Sequence, residues 1–151
     1  MLVPCGDRMH RAWLLIVTAV IEVGTGLALL AVPSVPLALL LGVSVAVPET
    51  LLIGRVTGAA LLAIGVASWL ARGDREGSAQ LGVLTGVLIY DGAAAALLGY
   101  AGLAMSMAGA LLWPAVVIHS ALGVWCLVCL CVKPQASRIS SSGGSFSPAA
   151  R

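Results

Sequence analysis

The sequence predicts an all-α membrane protein, a four-helix transmembrane bundle with both termini on the cytoplasmic side (N-in/C-in). Three observations predict it. The 151-residue chain is 60% hydrophobic and only 9% charged, with a mean hydropathy of +1.08, whereas an ordinary soluble domain carries about 25% charged residues. The apolar residues come in long unbroken runs, the mark of segments solvated by lipid. The basic residues gather in the segments that a four-span path puts on one side. A soluble fold this apolar would lack the polar surface to stay dispersed.

Residues 1–11 read as a short cytoplasmic N-terminus with Asp7, Arg8, His10 and Arg11, and residues 12–132 as a single transmembrane domain. The first span covers about 12–32. A basic start before an apolar run also describes a signal peptide, but the run exceeds the usual apolar core of about 7–15 residues. Glu22 also sits in its middle, so a retained span is expected. Pro33, Ser34 and Pro36 end the helix, because proline cannot continue one.

The stretch LALLLGVSVAV (37–47) is apolar but well short of the roughly 20 residues needed to cross a bilayer. Residues 33–49 are therefore expected to form an interfacial or re-entrant loop. VPETLL restarts a helix, with Pro48 in the first turn and Glu49 at its positive end. The second span covers 50–71, and RGDREGS (72–78) makes a charged turn. The third span covers 79–100. A small uncharged linker with Met105 and Met107 leads to the fourth, 111–132, which opens on Trp113–Pro114 and stops before Lys133–Pro134. Residues 133–151, rich in Ser and holding Gly143–Gly144, read as a disordered cytoplasmic tail.

Orientation follows from charge. Of the eight basic residues, Arg8, Arg11, Arg72, Arg75, Lys133, Arg138 and Arg151 fall on one side of the four spans, and the segments on the other side have none. The positive-inside rule places that side in the cytoplasm. Trp69, Trp113 and Trp125 lie toward span ends, where interfacial aromatics gather. Only one Lys stands against seven Arg, in a chain rich in Ala, Gly, Val and Leu. That composition suggests a high-GC bacterial genome and hence a bacterial inner membrane.

The eighth basic residue, Arg55, lies inside the second span, and each other span also carries one ionisable residue: Glu22, Asp91 and His119. At 1.5 Å rise per residue, Glu22 and Asp91 lie roughly 15 and 18 Å from the cytoplasmic edge, and Arg55 and His119 about 8 and 12 Å from the outer one. All four fall between the midplane and the outer leaflet. A central Asp or Arg facing lipid costs roughly 2.5–3.5 kcal/mol, so the four are expected to turn inward and pair. Arg55 would bond one carboxylate; the other would take His119 as a cation or hold a proton. The competing structural expectation is that these residues only glue helices together, at about 0.6 kcal/mol per bond.

Cys126, Cys129 and Cys131 form C-x-x-C-x-C at the cytoplasmic end of the fourth span, with Cys5 on the same side. A thiol-redox site is one reading. The other is that helical cysteines in a reducing compartment act as small hydrophobes. No second Cys pair or Cys-His pattern supports zinc, and neither a metal nor a cofactor is expected.

Nucleotide-binding, zinc-protease and serine-hydrolase motifs are absent, and no basic stripe interleaved with aromatics supports nucleic-acid binding. The polar segments are too short to build a catalytic domain, so the chain leans away from being an enzyme. The expected partners are the lipid bilayer and either a second copy or another membrane protein. Three functions stand in order: a membrane-embedded accessory or structural protein, a small proton-coupled permease or carrier using Glu22, Arg55, Asp91 and His119, and an intramembrane thiol-redox enzyme.

Overall fold

The computed structural model describes residues 8–44, 46–74 and 77–131. The expected tail, with Lys133, Arg138 and Arg151, lies outside the described residues, as do Cys5 and Arg75. All regular structure among the described residues is helical: α1 (Arg8–Ala31), α2 (Ser34–Leu41), α3 (Pro48–Ala71), α4 (Ser78–Ala104) and α5 (Leu112–Cys131). Four of the five, all but α2, are long and apolar enough to cross a membrane.

Local sequence accounts for the boundaries. Pro48 takes the first helical position of α3, where its missing N–H costs nothing. In the turn after α3, the Gln80 side chain donates to the Arg72 carbonyl at 3.0 Å. The Asp74 carboxylate accepts from the Ala79 N–H at 2.8 Å, satisfying a free donor at the start of α4. Two boundaries lie about four residues beyond those the sequence suggested. α1 begins at Arg8, because water beyond the apolar run does not forbid a helix. α4 continues to Ala104, since nothing from Tyr100 to Ala104 breaks it; it stops before Ser106, whose φ is +56°.

The long helices form two antiparallel pairs, α1 with α3 and α4 with α5. The first pair closes on small residues. A Cβ on Gly58 would lie 2.8 Å from the Gly26 carbonyl oxygen and 2.9 Å from Leu29 Cβ, so the backbones touch directly. The α1 N-terminus and the α5 C-terminus share one end, where Arg11 Nη2 donates to the Cys129 carbonyl at 3.1 Å. This places a cation near the negative end of α5. At the opposite end, α2 spans only about 12 Å and packs on the loop before α5: the Leu111 N–H bonds the Leu39 carbonyl at 2.9 Å. Gly109 makes that contact feasible, because a Cβ there would collide with the carbonyls of Leu39 and Leu40.

The two pairs join through Leu14, Leu15, Ala71, Leu84, Val87, Leu122, Cys126 and Cys129, which form one buried cluster. The outer surface is apolar too, with Val20, Leu52, Ile53, Val56, Leu70, Ile89, Leu97, Leu103 and Val117 all exposed. Arg72 stacks its guanidinium 3.6 Å over the exposed Trp69 ring and reaches the Trp69 carbonyl. Such aromatic–cation pairs suit a headgroup interface.

The glycine seam gives a direct test. Gly58→Val is expected to lower thermal stability in detergent by about 1–3 kcal/mol, as overpacking does. Gly82→Val, where a side chain meets open space, should leave the melting temperature unchanged.

Candidate functional site

Three of the four ionisable residues expected to turn inward do meet. Glu22 from α1, Asp91 from α4 and His119 from α5 each bring one donor atom to a common point, all within 4.8 Å of one another. Glu22 is 1% exposed and Asp91 0%. Each helix orients its member by periodicity. On α1, Leu14, Leu15, Thr18, Glu22, Gly26 and Leu29 are buried, a stripe at i, i+4, i+7 spacing. On α4 the buried row is Gln80, Leu84, Val87 and Asp91. On α5, Gly123 packs beside Asp91, with a built Cβ at 3.6 Å from Asp91 Cβ.

The contacts within the centre are few. His119 Nδ1 lies 2.8 Å from Asp91 Oδ1. The Tyr90 ring stands edge-on to the imidazole, with centroids 5.5 Å apart and planes at 85°. The Tyr90 hydroxyl lies near the Glu22 carboxylate. Glu22 Oε1 and Asp91 Oδ2 are buried with no hydrogen-bond partner among the described residues. One turn below Glu22, Thr18 Oγ1 is likewise buried and unpartnered, as is Ser68 Oγ on α3. The exposed Thr57 and Thr85 hydroxyls, by contrast, bond back to the carbonyl four residues earlier.

Arg55 departs from the expected quartet. It is exposed, while the buried face of α3 is Gly54, Gly58, Leu61, Gly65, Ser68 and Ala71. One residue past Gly54, Arg55 is rotated about 100° around the helix, away from the centre. Its long side chain suits snorkelling toward the nearer headgroups. The close α1–α3 seam is the physical reason: a face that lets backbones touch has room for glycine and none for arginine. α3 thus gives the centre no ionisable group, and the two carboxylates face one imidazole with no fixed cation.

The thiols divide differently. Cys126 and Cys129 are buried in the apolar cluster joining the helix pairs, while Cys131 is exposed. Tyr90 is the residue that sequence reasoning passed over. Its signal was position, since a tyrosine in mid-span lies outside the interfacial belts where such residues usually sit. No family model, curated protein or solved structure matches the chain.

The Asp91–His119 contact predicts a measurable cost. His119→Ala leaves both Asp91 oxygens buried without a partner and is expected to destabilise the protein by about 3–5 kcal/mol. Adding Asp91→Ala should recover part of that loss, as read by thermal unfolding of the single and double variants.

Proposed function

We propose that the chain is a four-span integral membrane protein with both termini in the cytoplasm, in the inner membrane of a bacterium, and that it is a small carrier for a positively charged species. The membrane reading draws on inverted polarity. Glu22, Asp91, Thr18, Ser68 and Gln80 are buried, while large aliphatic residues cover the outside, the reverse of a protein solvated by water. The orientation draws on basic residues: Arg8, Arg11 and Arg72 belong to the end where α1 starts and α5 finishes.

The observation that carries the carrier reading is the meeting of two buried carboxylates and one imidazole with Arg55 outside the centre. Two buried carboxylates, each with an oxygen that none of the described residues satisfies, meet one imidazole in mid-bundle. Polar groups that serve only as glue are stable when they neutralise one another. Arg55, the residue able to do that, faces away. A centre left negative in low dielectric attracts a proton or a metal cation and is stabilised by holding one.

A second reading, an accessory protein that associates with itself or another membrane protein, draws on Gly82 and Gly86. They form a G-x-x-x-G on the exposed surface of α4 with no neighbour against it.

For topology, a reporter fused after Arg75 is expected to read cytoplasmic and one after Met105 external; the reverse pattern overturns the orientation. For function, the purified protein reconstituted into vesicles with an internal pH dye is expected to speed the decay of an imposed proton or metal-cation gradient. Glu22→Gln and Asp91→Asn should return decay to the protein-free rate while keeping helical content. Wild-type vesicles that behave as empty ones under every gradient overturn the carrier reading in favour of the accessory one.

A further inference from the structure

We propose that Glu22, Asp91 and His119 form a binding site for a divalent transition-metal ion of the Zn²⁺ or Mn²⁺ type. This names the ligand class of the centre described above and rests on reading that centre as one that holds a cation. Three donors come from three different helices and lie within 4.8 Å of one another. Around an ion with bonds of about 2.0–2.2 Å, tetrahedral donors sit roughly 3.4 Å apart. Closing the gap therefore takes a shift of at most about 1.4 Å between donors, within reach of side-chain rotation. Glu22 Oε1 and Asp91 Oδ2 are oxygens on residues at least nine-tenths buried, with no partner among the described residues. They are lone pairs in place for a ligand.

The donor set selects the ion. As metal ligands, two ionised carboxylates and one neutral imidazole would carry a charge of −2, which a divalent ion cancels and a monovalent ion does not. The imidazole nitrogen favours zinc, manganese, iron or cobalt over magnesium and calcium, which prefer all-oxygen shells of six or more ligands. Copper(I) and other thiophilic ions prefer sulfur. Cys126 lies two helical turns from His119 on α5, packed among apolar side chains. Three protein ligands leave one tetrahedral position open, the pattern of sites that exchange a ligand rather than staple a fold. Tyr90 is a positioning residue here: its ring edge packs on His119, and its hydroxyl lies near the Glu22 carboxylate.

The test uses the full chain, tag removed, in detergent, titrated with Zn²⁺ by calorimetry and with Co²⁺ by absorption. One ion per chain is expected, with visible Co²⁺ bands and no sulfur-to-metal charge transfer. Zn²⁺ should raise the melting temperature where Mg²⁺ does not. Glu22→Gln, Asp91→Asn and His119→Gln should each abolish binding, and Tyr90→Phe should weaken it by about 10–100-fold. A variant with Cys126, Cys129 and Cys131 all changed to Ser should bind normally. Absence of wild-type binding together with an unmoved melting temperature overturns the proposal. So does binding that survives Asp91→Asn and His119→Gln, or binding lost in the serine variant. Binding in detergent and flux in vesicles fail separately: zinc bound but nothing moved removes the carrier, and protons moved with zinc ignored removes the metal site.

Discussion

Two carboxylates and one imidazole meeting inside an apolar bundle are the constraint on which the rest of the structure depends. Each is costly to leave on an apolar surface, and each is carried by a different helix. α1 therefore has to present the face bearing Glu22 to the α4–α5 pair, and that requirement sets its rotation. The same rotation brings Leu14 and Leu15 onto Leu84, Val87 and Leu122. It also delivers Arg11 to the Cys129 carbonyl. With α1 committed in this way, α3 is left the adjacent flank, which it fills with glycine rather than with a fourth ionisable group.

The two helix pairs are built on different physics. α1 and α3 approach until backbone meets backbone, so dispersion between close chains holds them. The junction between pairs mixes an aliphatic cluster with the polar centre. In lipid the aliphatic part gains little, because the acyl chains are as apolar as leucine. The polar part therefore adds specificity, since the observed rotation of α1 buries Glu22. The short α2 adds a brace at the far end, bonding the loop before α5 through the Leu39 carbonyl.

Much of this was legible residue by residue. Apolar runs bounded by proline, glycine and charge marked where the long helices would lie, and Glu22, Asp91 and His119 stood out because an ionisable group in such a run is costly wherever it faces lipid. Arg55 was misread for an instructive reason. Its depth and sign suited a partner for the carboxylates, but depth says nothing about azimuth. One residue of offset from Gly54 turned it outward. Tyr90 carried only its mid-span position as a signal. Its role depends on the neighbouring helices, since its ring packs edge-on against His119.

The sequence alone determined the helical class, the number of helices able to cross a membrane and the rarity of the ionisable groups. These depend on local composition and on the length of apolar runs, which need no knowledge of neighbours. Only the tertiary structure decided which of those groups meet. That choice depends on helix rotation and on how closely α1 and α3 pack, and neither is encoded in any single span. It left two carboxylates facing one histidine and put the arginine outside, so the expected quartet lacks its fixed cation.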